Sequence, residues 1–132
     1  SNIYHVWVGK DITIVSYSNR VNVAKEAILA DELQNCSIEL IDLQTVSPID
    51  YDTIKTSLKK TKKLLVCQEA PSNSSVGTTV ISKIVESELF QELEIAPKLV
   101  SGLHSPMPSA KHLELNVIPQ VEDITSAVKS ML

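Results

Sequence analysis

Only three of the 132 residues are glycine, and that scarcity removes most nucleotide-binding signatures at once. The chain contains no GxGxxG, no GxxxxGK[ST] and no GxSxG, so a dinucleotide crevice, a phosphate loop and a nucleophile elbow are excluded in their usual forms. Cysteine is scarce too. Cys36 and Cys67 match no metal-ligand or redox spacing, and each lies in or beside an apolar run, so both read as buried free thiols. Such usage fits a reducing compartment. No stretch approaches the ~18–20 apolar residues of a membrane span, and no secretory signal pattern is present, so no membrane association is expected. Basic charge is short as well: 12 Lys and Arg face 16 Asp and Glu, for a net charge of −4. Nucleic acid is therefore not an expected partner. The one dense basic run, "KKTKK" at 59–63, reads as the end of a helix, where cations offset the dipole.

What remains is a chain of one ordinary domain, 1–132, large enough to bury roughly two-thirds of its unfolded surface without staples. Alternation in "YHVWVG" (4–9) predicts a strand, and "DITIVSY" (11–17) predicts a second close behind it. The short Gly9-Lys10-Asp11 link between them suits a hairpin, so the first two strands are expected to pair antiparallel. Strands and helices then alternate. Residues 21–34 place Val23, Ala27, Ala30 and Leu33 near one helical face, and "SIELIDL" (37–43) is a strand. Asp50 caps a helix carrying Ile54 and Leu58, and "KLLVCQE" (63–69) is a buried strand. A helical stretch runs from Gly77 to about Leu93, "PKLVSG" (97–102) is the fifth strand, and a last helix turns Ile124, Val128 and Met131 or Leu132 inward. Apolar strands between amphipathic helices predict a three-layer α/β/α domain. Its mixed five-stranded sheet has four parallel strands and an antiparallel first strand.

Ligands of open parallel sheets sit beyond the carboxyl ends of the strands. That topology gathers Ser18-Asn19-Arg20, Gln44-Thr45, Glu69-Ala70-Pro71 and Gly102 to Pro108. No catalytic, cofactor or metal constellation emerges among them. His104 and His112 lie eight apart with no cysteine or acidic cluster beside them, which is no zinc spacing. His104 and Ser105 are adjacent and have no third group to orient them, so an exposed polar histidine outweighs a nucleophile–base pair. A phosphate at the helix start Ser75-Val76-Gly77 has no specific support. Glu69 ends a buried strand, where a bare carboxylate is costly. It is either a cap or cation partner, or a residue at a domain seam or active-site funnel. In "GLHSPMPSAK" (102–111), Gly102 permits a sharp exit from the strand, while Pro106 and Pro108 fix φ. The candidate seam residues are thus Glu69, Pro71, Gly102, His104, Pro106 and Pro108.

Read in order, "DITIVSYS", "IELIDLQTVSPID", "KLLVCQEAP", "GLHSPMPSAKHLE" and "VIPQVEDI" resemble the C-terminal, transketolase-like domain of the beta subunit of thiamine-diphosphate-dependent 2-oxo acid dehydrogenases. The resemblance spans Val6 to Leu132, and its "SPMPSAKHLE…IPQVED" segment is most similar to pyruvate dehydrogenase beta subunits. It implies an enzyme that decarboxylates a 2-oxo acid and reductively acylates a lipoyl group. Thiamine diphosphate and magnesium are then held by other domains, and the domain itself is inactive when isolated. It also implies a non-catalytic assembly role: dimerisation with a two-fold mate, packing on the pyrimidine-binding domain and an alpha subunit or fused alpha-like domain, and docking of the dihydrolipoyl acyltransferase core. A bacterial cytoplasm and an organelle matrix are equally compatible locations.

The chain departs from that family in two places. After "EAP" a glycine-rich acidic stretch is usual, whereas Ser74-Ser75-Val76-Gly77-Thr78-Thr79 keeps one glycine and puts Thr79 where an acid is common. In the proline loop, His104 stands where Asp is usual and Ser109 where an aromatic is common. The alternatives are another thiamine enzyme (a branched-chain 2-oxo acid or acetoin dehydrogenase, transketolase, or deoxyxylulose-phosphate synthase) and a stand-alone flavodoxin-like ligand-binding or regulatory module.

Overall fold

The computed structural model describes residues 3–17, 20–43, 49–68, 76–101 and 121–132. In chain order these form β1 (Ile3–Trp7), β2 (Ile12–Tyr17), α1 (Arg20–Ile28), β3 (Ile38–Leu43), α2 (Tyr51–Thr61), β4 (Leu64–Gln68), α3 (Val76–Val85), β5 (Lys98–Ser101) and α4 (Val121–Met131). Short 3-10 turns at Asp31–Leu33 and Glu88–Glu92 follow α1 and α3. They replace the final turns of the longer helices expected at 21–34 and 77–93. Their buried residues, Leu33 and Leu89, still face the core, so the apolar spacing was read correctly and the helix ends were not.

The described strands form one sheet in the order β1-β3-β2-β4-β5. β2 is parallel to both β3 and β4, and β4 is parallel to β5. β1 is antiparallel to β3, with Tyr4 opposite Asp42 and Trp7 opposite Leu40. The hairpin expected between the first two strands is therefore wrong. The chain leaves β1, crosses the amino end of β3 and enters the sheet on the far side as β2. Burial explains the choice, because Ile12, Thr13, Ile14, Val15 and Ser16 are all fully buried. A strand apolar on both faces belongs at the centre of a parallel sheet.

The crossover is fastened to the start of β3. Asp11 N donates to Ser37 O at 2.7 Å, and Ser37 N donates back to the Asp11 carboxylate at 2.8 Å. Lys10 N donates to Ser37 Oγ at 3.0 Å. Gly9 passes so close to the β3 backbone that a Cβ there would lie 2.3 Å from the Ile38 carbonyl carbon. Only glycine fits that approach.

Two apolar layers flank the sheet. Ile12, Ile14, Leu40, Leu65 and Cys67 meet Ala24, Ala27, Ile124, Val128 and Met131 of α1 and α4. Val15, Ile41, Leu43 and Val66 on the opposite face meet Ile54 and Leu58 of α2 and Val80 and Ile84 of α3. Alternate residues of each strand point to opposite faces, so one continuous apolar strand feeds both layers. Of the two thiols expected to be buried, Cys67 is and Cys36 is only half-buried.

Candidate functional site

The carboxyl ends of β2, β3, β4 and β5 lie at Tyr17, Leu43, Gln68 and Ser101. The seam candidates Glu69, Pro71, Gly102, His104, Pro106 and Pro108 all fall outside the described residues, as do Ser105, Ser109 and His112. The described residues that lead up to them still constrain the chemistry there.

Gln68 is fully buried at the end of β4. Its side-chain oxygen accepts the Gly77 N–H at 2.7 Å, closing one of the open donors at the start of α3. A Cβ at position 77 would sit 2.5 Å from Gln68 Oε1 and 2.7 Å from Leu99 Cδ1, so a larger residue enters only if those two side-chain tips move. The Gly77 N–H offered to a phosphate in the sequence reading is therefore already taken by the protein itself.

One register position inward, Ser16 stands between Asp42 on β3 and Cys67 on β4. Ser16 Oγ is buried without a hydrogen-bond partner among the described residues. Burial pushes the Cys67 thiol up to about 12. A thiol held protonated far above neutrality is no nucleophile. Among the described residues, no group of three His, Cys, Asp or Glu side chains could hold a metal ion.

The most developed polar arrangement lies at the other pole, at the amino ends of the strands. Glu39 is 2% exposed, and its carboxylate accepts from Gly9 N at 3.0 Å and Lys60 Nζ at 2.6 Å. Burial alone pushes the Glu39 carboxyl up, but hydrogen bonds from Lys60, Gly9 and Ser57 and the Lys60 charge outweigh it and hold the group below its ordinary value. Beside it, Thr13 Oγ1 contacts Ser57 Oγ at 2.6 Å and Thr61 Oγ1 at 2.5 Å. These hydroxyls let α2 pack on β2 with its buried polar groups satisfied. Glu39, unlike Glu69, is not among the candidate residues drawn from the sequence. The available signal was the acid inside "SIELIDL".

Among the described residues this layout offers structural ion pairing and hydrogen-bonded hydroxyls at the amino pole, and no metal-binding cluster. Its relationships are clear. The family described as "Transketolase, C-terminal domain" matches residues 3–124. The chain belongs to that family. The match agrees with the resemblance read from the five sequence segments. Among curated relatives, the mitochondrial pyruvate dehydrogenase E1 component subunit beta of Ascaris suum is 40% identical over 126 residues, covering 94% of this chain and 34% of that protein. The pyruvate dehydrogenase E1 component subunit beta of Rickettsia bellii is 38% identical over 123 residues, covering 93% of this chain and 38% of that protein. The one from Rhizobium meliloti is 35% identical over 123 residues, covering 93% and 26%. This transketolase C-terminal domain thus spans about a third of the length of the relatives it matches.

Solved structures show the same fold. A chain described as "Split gene transketolase, inactive beta4 tetramer" superposes with a TM-score of 0.77 at 22% identity, covering 98% of this chain and 42% of that one. The 2-oxoglutarate:ferredoxin oxidoreductase from Magnetococcus marinus superposes with a TM-score of 0.66 at 14% identity, covering 99% and 20%.

Proposed function

We propose that this chain is the non-catalytic assembly domain of the decarboxylating component of a thiamine-diphosphate-dependent 2-oxo acid dehydrogenase, with pyruvate as the substrate of the parent enzyme. The observation that carries this reading is the family match over residues 3–124, joined to 35–40% identity with pyruvate dehydrogenase beta subunits over nearly the whole chain. The parent is a longer beta subunit or a fused chain. Within it the domain supports the two-fold dimer, packs on the pyrimidine-binding domain and the alpha subunit, and helps dock the dihydrolipoyl acyltransferase core. The seam is formed by the segments carrying Glu69, Pro71, Gly102, His104, Pro106 and Pro108. The relatives' bacterial and mitochondrial sources support a bacterial cytoplasm or an organelle matrix.

Thiamine diphosphate and magnesium belong to the parent enzyme, and the described residues of this domain do not fit them. The Gly77 N–H at the start of α3 is engaged by Gln68, and no carboxylate cluster offers a divalent cation a set of oxygens. No chemical step is therefore assigned to these residues.

The test is substrate discrimination by the parent. The full-length protein, combined with an alpha subunit, thiamine diphosphate and magnesium, is expected to decarboxylate pyruvate in preference to branched-chain 2-oxo acids. Preference for a branched-chain substrate moves the chain to that alternative. Activity toward neither, in a correctly assembled complex, removes the dehydrogenase assignment.

A further inference from the structure

Gln68 stands where both proposed seam segments take root. It ends β4 immediately before Glu69, and it lies opposite Ser101 of β5, the residue before Gly102. Its side chain also reaches past the far end of the first segment. There its oxygen accepts Gly77 N at 2.7 Å, beside Val76 at the start of α3. A fully extended chain covers about 30 Å over nine residues, yet Gln68 and Gly77 are joined by a single hydrogen bond. One side chain thus links the two ends of 69–75 and lies in register with the start of the segment that carries His104.

The residue types on both sides of this contact are costly ones. Gln68 is fully buried and follows the apolar run Leu64 to Cys67, where a leucine would extend the core with no polar group to satisfy. A buried amide is unfavourable without a partner, and its oxygen must face the Gly77 donor, which fixes the amide's orientation. Gly77 answers from the helix. A Cβ there would meet Gln68 Oε1 at 2.5 Å and Leu99 Cδ1 at 2.7 Å, so glycine lets α3 start close against β4 and β5 together. Glycine in a helix and an amide in a core strand each weaken their own element. Together they make one contact, at the roots of the seam.

We propose that Gln68 is the positioning residue of the assembly surface. By holding Gly77 and pairing with Ser101, it sets at one fixed spacing the roots of the segment carrying Glu69 and Pro71 and the segment carrying Gly102, His104, Pro106 and Pro108. This assignment rests on the assembly reading, and it names the residue that makes two separate segments act as one surface toward the alpha subunit. A surface held ready in this way loses less conformational freedom when its partner binds. Without the bond the core persists, because Val66, Val80 and Ile84 pack independently of it. The cost of ordering the segment ends then falls on association.

The experiment titrates the full-length beta chain with the alpha subunit and follows association by sedimentation velocity. Gln68→Leu removes the acceptor, and Gly77→Ala displaces it from the opposite side. Each should weaken association at least about fivefold. The double variant should lose about as much as either alone, because the second change finds no bond left to break. Lys60→Ala at the amino pole is the control for stability. It should lower the thermal midpoint comparably to Gln68→Leu and leave association within about twofold. If Gln68→Leu does not fold, Gly77→Ala decides by the same fivefold limit. Association of the folded variants within about twofold of the natural protein overturns the assignment, as do multiplying losses in the double variant. An equal loss with Lys60→Ala overturns it too, since the effect is then one of general stability. Failure of the unaltered protein to associate overturns the assembly reading and the assignment with it, whereas normal association that ignores Gln68 overturns the assignment alone.

Discussion

Glu39 shows how a charged residue earns a place in an apolar strand. Its carboxylate ties the crossover at Gly9 to the last turn of α2 through Lys60, so one acid joins three elements. Lys60 is 43% exposed, which discounts the pair, and Lys60→Ala is expected to cost about 1–3 kcal/mol in chemical denaturation. Most of that cost is the buried carboxylate left behind. Because the folded protein holds the Glu39 carboxyl below its ordinary value of 4.5, the unfolded chain binds its proton first as the pH falls. Its stabilisation is therefore fully present above pH 4.5 and is lost as the pH drops through the lower folded value. Denaturation curves across that window should be steeper in pH for the natural protein than for Glu39→Gln, while Glu39→Gln is the less stable of the two at neutral pH. The glycines divide in a similar way. At Gly9 an added Cβ meets the Ile38 backbone, which cannot yield, so Gly9→Ala should cost about 3 kcal/mol. At Gly77 it meets the tips of Gln68 and Leu99, which can turn aside, and the helix gains from alanine. Gly77→Ala should therefore cost no more than about 1 kcal/mol, the price of displacing Gln68 from its N–H.

At the level of elements, α2 has a well-formed start and a strained end. Asp50 accepts from Thr53 N at 3.2 Å and from Thr53 Oγ1 at 2.9 Å, so Asp50→Ala is expected to lose about 1 kcal/mol. At the other end, Lys62→Gly should gain roughly 0.5–1 kcal/mol by placing glycine where φ is 62°. Both changes are read from thermal or urea midpoints. Most of these elements were legible in the sequence because their signals are local. Asp50 before "YDTIKTSLKK", the apolar run "LLVC" and the Ile124–Val128–Met131 spacing each give element and face directly. The partner of β1 was not legible. A short glycine-bearing link looks the same whether it turns back or crosses beneath a strand that comes later in the chain. The difference lies in Ile38 and Glu39, some 30 residues on, which hold Gly9 by close packing and a hydrogen bond. The left-handed Lys62 was hidden for the same reason, since its conformation is fixed by the pairing of Glu94 N with Lys62 O across the fold.

For the molecule as a whole, helices pack on both faces of the sheet, and its described buried polar side chains, Ser16 apart, are engaged in holding elements together. The family was legible from the order of five segments, each weak alone, because their register along the chain is what the fold requires. The amino-pole cluster was not legible, because its members come from positions 9, 13, 39, 57, 60 and 61 and meet only after folding. The proposed role is one of assembly, with catalysis supplied by other domains. Thiamine diphosphate with magnesium, titrated calorimetrically into this 132-residue protein, tests that claim most directly. The prediction is no saturable heat. Stoichiometric binding on the order of micromolar affinity, about −8 kcal/mol, would contradict it.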